Sequence, residues 1–412
     1  MRPSVAFALT LALAGPAGAT APPELSAALA AAPAVAAARH RLEAAQARSG
    51  ARGRLADLEL EAMATSLRDP GIGGRREAYE LTLSQPLPRP KERASDRALG
   101  ATAIRLAEAE LALTAADLAA TVAGLLAEAT AARERAGLNL AQATRLETAL
   151  GGLEARLTTG GPNALVERLA LQSRRTALRL AAAEENRQAA DAETEARAHL
   201  GLAPETALPA FAAPAPSTIQ PAETAAATLA QARAADAEAG ARFARTSAAA
   251  ATAVGLRLER ERMGSGFLNG VGLVFSTDLP SRRALAARAE ARAATAEREA
   301  AQADDGASRL LAQADLDRAA RAATFAEEAR RLAAEITNRL DAEHEAVNRA
   351  FAAARPGQDS ALLHALDILD RTTAARLQVI AAEAELRARQ AALWRHAPPA
   401  QLLAALTRGP AP

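Results

Sequence analysis

Along most of the chain, apolar residues recur at steps of three and four. Leu111, Leu118 and Leu125 are seven apart, Leu146, Leu150, Leu153 and Leu157 step by four, three and four, and Leu332, Ile336, Leu340 and Val347 mark one face further on. Such spacing predicts long helices with narrow coiled-coil seams. In two windows the period drops to two. Leu58, Leu60, Ala62 and Ala64 alternate with Glu59, Glu61 and Met63, and Tyr79, Leu81 and Leu83 alternate with Glu80, Thr82 and Ser84. Later, Val254, Leu256 and Leu258 alternate with Gly255, Arg257 and Glu259, and Val271, Leu273 and Phe275 alternate with Gly272, Val274 and Ser276. Period two predicts strands with one apolar face, and the turn-rich links Asp69–Gly74 and Gly264–Gly266 make each window a β-hairpin.

The two windows are copies. Leu81-Thr82-Leu83-Ser84-Gln85-Pro86-Leu87-Pro88 aligns without gaps to Leu273-Val274-Phe275-Ser276-Thr277-Asp278-Leu279-Pro280, and a long helix follows each Leu-Pro. The first is expected from about Ala94 to Leu157, on the order of 95 Å at 1.5 Å per residue. Thr158–Asn163 breaks it, with Asn163 the expected N-cap of a helix returning through Leu200. In the second copy a helix from about 282 to 354 turns at Arg355–Ser360 and returns to about Trp394. Shorter helices, about 23–52 and 223–252, precede the hairpins.

The expected plan is a first repeat over 20–200, a proline- and alanine-rich linker over 201–222, a second repeat over 223–396 and a poorly ordered tail over 397–412. Strands are expected near 55–65, 76–87, 253–263 and 268–279, and helical hairpins near 90–200 and 281–395. The fold class is mainly α with a small β part.

Composition sharpens this plan. About 120 alanines favour helices that pack closely and thinly, against nine aromatics for any thick core. Alanine avoids both strand windows: only Ala78 falls between Thr65 and Arg93, and none between Val254 and Arg283. Lysine and arginine total 49 against 48 acids, a net charge of +1, which offers no field for nucleic acid. Absence of cysteine removes thiolate catalysis, disulfides and a lipidated amino terminus. Arg2, the apolar run Val5–Ala14 and Ala17-Gly18-Ala19 read as a signal peptide over 1–19, with Thr20 the first mature residue. Beyond it no uncharged stretch of eighteen apolar residues occurs, so no transmembrane helix is expected.

The strands then need a partner for their apolar face. The helices carry narrow seams already used in coiled coils, whereas lipid accepts a strand with apolar residues outward and polar residues toward a water-filled interior. Four strands cannot close a membrane barrel, and open edges are not tolerated in hydrocarbon. Three copies give a barrel of twelve strands continued by long helical hairpins.

The order of signal peptide, helix, hairpin ending in Tyr79-Glu80-Leu81-Thr82-Leu83-Ser84-Gln85-Pro86-Leu87-Pro88, glycine-turned helical hairpin and second copy resembles the TolC-like outer-membrane efflux protein family. The resemblance covers nearly the whole mature chain. It implies a homotrimer in the outer membrane of a Gram-negative bacterium, with a 12-stranded β-barrel and a periplasmic α-helical barrel. It further implies an exit duct of a tripartite efflux or type I secretion system, working with a periplasmic adaptor and an inner-membrane pump. One departure is a thin aromatic girdle, since Tyr79, Phe267 and Phe275 are the only aromatics near the strands.

A duct makes and breaks no bonds, so no catalysis and no cofactor are expected. His40, His199, His344, His364 and His396 are scattered, and Asp341, Glu343, His344 and Glu345 read as a solvated face rather than a metal cluster. Gly71-Ile72-Gly73-Gly74 lacks the Lys-Ser/Thr of a phosphate loop and reads as a hairpin turn. By resemblance, Gly160, Gly161, Asn163, Gly357 and Ser360 fall at helical tips that meet an adaptor. Asp359, Asp367 and Asp370, at or just after the second tip, become rings of three carboxylates in a threefold assembly and form a candidate aperture favouring cations. The competing function is a soluble periplasmic coiled-coil adaptor or scaffold. Such proteins usually carry one helical hairpin between small β domains, and this chain has two hairpins with few strands.

Overall fold

Proline sets where the first four helices begin. Its missing N–H is harmless at the first helical position and its fixed φ suits it. Thus α1 (Pro23–Ala31), α2 (Pro33–Ala51), α3 (Pro90–Leu157) and α4 (Pro162–Leu200) each open on one. The expected single helix over 23–52 is therefore two, divided at Ala32, because the residue before a proline is pushed out of helical geometry. Asn163, expected as an N-cap, is instead the second residue of α4, since Pro162 takes the first position. The remaining elements are β1 (Glu59–Asp69), β2 (Gly74–Leu87), α5 (Ala225–Ser247), β3 (Thr252–Met263), β4 (Gly266–Thr277), α6 (Ser281–Ala353) and α7 (Ser360–Ala392), with short 3-10 turns at Pro216–Thr218, Pro221–Glu223 and Leu393–His396. The computed structural model describes residues 23–55, 57–69, 74–157, 162–248, 252–263, 266–277, 281–353 and 360–402.

The chain divides into two units. One comprises Ala37–Leu111 and Ala226–Ala307 and holds the sheet. Its four strands are antiparallel in the order β1-β2-β3-β4, so the two hairpins join through β2 and β3. Beneath the strands the helix ends are tied by side chains. Gly53, at φ 70°, donates its N–H to Asp96 Oδ2 at 2.6 Å, and Arg52 reaches Asp96 Oδ1 at 3.0 Å. A β-carbon at Gly53 would lie 2.5 Å from Arg97 Cγ, so both conformation and space require glycine there. Ser95 and Thr246 hydroxyls meet at 2.6 Å, and Thr102 donates to Asp236 at 2.8 Å, joining α3 to α5.

The other unit comprises the chain up to Ala36, Ala112–Ala225 and the part from Ser308 onward. Alanine is its packing material: Ala129 and Ala132 of α3 meet Ala189 and Ala192 of α4. Leu146 and Leu150 pack with Leu171 and Leu178. Arg387 of α7 grips Glu134 of α3 through two bonds of 2.7 and 2.9 Å, and Arg330 of α6 meets Glu383 of α7 at 2.6 Å.

One expectation needs a qualification and two change. An eighteen-residue window within Pro90–Thr148 has mean hydropathy 1.5, enough by length and composition to cross a membrane. Of that window 61% is buried, which identifies a core helix rich in small apolar residues. The tail expected to be loose from 397 begins packed, with Ala397 and Leu402 buried. Its anchor is Trp394, whose indole N–H donates to the Ala212 carbonyl at 2.8 Å, beside a cluster of Leu393, Ile219 and Ala319. Finally, Leu332 and Ile336, expected in a coiled-coil seam, stand exposed, as do Leu310, Leu311 and Phe325 on the same helix.

Candidate functional site: a two-faced sheet and the helical tips

Strand register turns the period-two pattern into two faces. Leu60, Leu83, Leu256 and Leu273 align in one row across all four strands, and Ala62, Leu81, Leu258 and Val271 form the next. Among the described residues nothing covers this face: Leu273, Val271 and Phe275 are 72%, 74% and 75% exposed. Each such side chain forgoes about 1.5–3 kcal/mol of burial in a single chain.

The opposite face carries the polar residues, and its charges are mostly acidic. Its rows bring together Glu59, Ser84, Gly255 and Val274, then Glu61, Thr82, Arg257 and Gly272, then Met63, Glu80, Glu259 and Gly270. Arg257 lies 2.8 Å from Glu80 and 3.7 Å from Glu259, offsetting part of that charge. Gly255 is the tightest point of the sheet: a β-carbon there would stand 2.7 Å from the Leu83 carbonyl oxygen. Among the described residues, β1 and β4 each have a neighbouring strand on one side only, leaving a row of backbone donors and acceptors open at both edges.

The structure places part of the expected tip set. Asn163 and Ser360 lie in the first turns of α4 and α7, while Gly160, Gly161, Gly357 and Asp359 lie outside the described residues. Asp367 and Asp370 are exposed on α7, each already paired: Asp367 with Arg371 at 2.8 Å, and Asp370 with Arg174 of α4 at 2.7 Å. One chain thus holds each of these acids against an arginine, Asp367 within α7 and Asp370 across to α4. The side chains of Asp341, Glu343, His344 and Glu345 lie outside those described. Among the described residues no three carboxylate or imidazole groups are placed to hold a metal ion.

Displaced acidities belong to structural ion pairs on the helices. Hydrogen bonds from Arg187 and Gln188 hold the Glu184 carboxyl at about 2. Burial pushes the Asp315 carboxyl up, but His396, at 2.9 Å, and Arg318 outweigh it and leave the group below its ordinary value.

An uncovered apolar face, a reverse with mostly acidic charges and two open edges form a distinctive arrangement, and solved structures share the fold that carries it. The outer-membrane channel OprN superposes with a TM-score of 0.70 at 20% identity, over 92% of this chain and 89% of its own. The chain has the fold of the TolC-like outer-membrane channels. VceC, an outer membrane protein of Vibrio cholerae, shares this fold at TM-score 0.69 and 14% identity, over 93% of this chain and 95% of that one. The MtrE outer membrane channel of Neisseria gonorrhoeae, in its open state, does so at 0.66 and 17%, over 94% and 90%. No protein-family model matches the sequence, and no curated protein does. The TolC-like fold is thus legible in three dimensions where sequence identity is low.

Two groups escaped the sequence reading. Arg174 lies 196 residues from its partner Asp370, and no local pattern links them. Arg257 sits in a visible alternation, but its approach to Glu80 depends on β2 pairing with β3.

Proposed function

We propose that three copies of the chain form a channel in the outer membrane of a Gram-negative bacterium, the exit duct of a tripartite efflux or secretion system. The observation that carries this is the sheet with one bare apolar face, one acidic face and two open edges. Lipid satisfies the first, a water-filled lumen the second, and edge-to-edge pairing of three four-stranded sheets closes the third into twelve strands. The exposed Leu310, Leu311, Phe325, Leu332 and Ile336 of α6 support assembly too, as apolar positions that a single chain leaves bare. In this reading the helices extend into the periplasm as a helical barrel. Gly160, Gly161, Asn163, Gly357 and Ser360 meet an adaptor linked to an inner-membrane pump, and Asp359, Asp367 and Asp370 ring the aperture.

A soluble adaptor or scaffold would leave the Leu83–Leu256 face in water, and nothing in the structure favours it. Membrane fractionation followed by electrophoresis with and without heating tests the reading. A heat-sensitive trimer in outer membranes supports it, and a soluble monomer overturns it.

A further inference from the structure

The lipid-facing side of the barrel proposed above is not uniform. Toward the hairpin turns, away from the helices, the row after Leu81 and Leu258 holds Ala64, Tyr79, Arg260 and Asn269, and the next holds Ser66, Glu77, Arg262 and Phe267. A shallow groove of ≈ 520 Å³ crosses the sheet at this level, lined among others by Ala62, Ala64, Tyr79, Leu81, Leu258 and Arg260. Ala62 and Ala64 are its smallest lining side chains, and Leu81 and Leu258 are apolar neighbours in it.

The cation at its end has an uncommon setting. Arg260 places its guanidinium carbon 4.2 Å from the centroid of the Phe267 ring, which orients the planar fork. Arg262, 5.9 Å from the same ring, lies 4.0 Å from Glu77. Among the described residues, Arg260 has no carboxylate at ion-pair distance. A bare arginine on a lipid-facing surface costs about 2–4 kcal/mol at mid-membrane and about 0–1 near the interface, so Arg260 marks headgroup level. Guanidinium geometry matches phosphate oxygens through paired N–H bonds.

We propose that this groove binds an anionic, phosphate-bearing lipid of the outer leaflet, its acyl chain against Ala62, Leu81 and Leu258 and its phosphate on Arg260. The site rests on the barrel reading, and charge complementarity at one end of an apolar groove selects its occupant.

The full chain, reconstituted in phosphatidylcholine vesicles with and without phosphatidic acid and re-extracted in mild detergent, is assayed for retained lipid. Enrichment of phosphatidic acid is expected, falling about five- to tenfold in Arg260→Gln and little in Arg257→Gln, which removes the same charge from the opposite face. Excess inorganic phosphate should leave the retained lipid in place. Equal retention of both lipids overturns the site. So does an equal loss in Arg257→Gln, or complete displacement by phosphate alone. Failure to insert into either vesicle overturns the barrel reading and this site together, whereas insertion without enrichment overturns the site alone.

Discussion

Asp370 of α7 accepts an ion pair from Arg174 of α4 at 2.7 Å, with both side chains about half exposed. An exposed pair is worth about 0.2–1 kcal/mol, too little to matter for folding. It does tie the helix carrying the candidate aperture acids to the neighbouring hairpin. Arg174→Gln should leave thermal stability within about 1 kcal/mol of the parent and alter conductance in planar bilayers. The charge-reversed pair Arg174→Asp with Asp370→Arg should restore the parent conductance. Unchanged conductance in the single variants removes the pair from any role at the aperture.

Leu256 stands between Leu83 and Leu273 in the bare row. Leu256→Arg should cost about 2–4 kcal/mol if the row lies near mid-membrane, and should sharply lower the amount of trimer recovered from outer membranes. Thr82→Arg, on the polar face, should be tolerated far better. Equal recovery of the two variants would show that the two faces share one environment.

Both faces were legible from period-two spacing near the helices, because a strand's alternation is local; toward the hairpin turns Glu77, Arg260 and Arg262 break it on the apolar face, and Met63 and Val274 break it on the other. The same holds for the existence of the long helices, although their starts lie at Pro90 and Pro162 and not at the expected Ala94 and after an Asn163 cap. What was not legible depends on contacts between distant segments. Nothing near Gly53 or Asp96 announces that one will bind the other, and Trp394 fixes the turn Leu393–His396 only because Ala212 is brought to it. The exposed Leu332 and Ile336 show the opposite limit: a helical seam can be read from sequence while its partner, in this reading, lies on another copy. The tip glycines stand out by resemblance and Asp359 by its place at the second tip, and all of them lie outside the described residues, whereas Asp367 and Asp370 form ion pairs with Arg371 and Arg174.

Trp394 is almost wholly buried and its indole N–H holds the Ala212 carbonyl. Trp394→Phe should cost about 1 kcal/mol for the lost bond plus part of the ring volume, and Trp394→Ala about 3–5 kcal/mol. Thermal unfolding followed by helical circular dichroism is the measurement. A loss below about 1 kcal/mol for the alanine variant would mean that the carboxyl-terminal turn does not anchor the linker.

Asp315 joins α6 to the turn bearing His396. Because its carboxyl is held below the ordinary value, its contribution is fully present above the unfolded-state pKa of about 4 and is lost as pH falls through the folded value. Stability of the parent should therefore decline below about pH 4 more steeply than that of Asp315→Asn, which should already be weaker at neutral pH by on the order of 1 kcal/mol. Parallel pH profiles for the two proteins would contradict this assignment.

The chain contains no cysteine, so single cysteines can report on each face of the sheet. In the trimer reconstituted in vesicles, Leu256→Cys and Leu273→Cys should react with a membrane-soluble maleimide and resist a charged one, while Glu61→Cys and Glu259→Cys should react readily with the charged reagent. That alternation along neighbouring positions is expected only if one face meets lipid and the other a water-filled lumen. Equal reaction of all four positions with the charged reagent would contradict a membrane barrel.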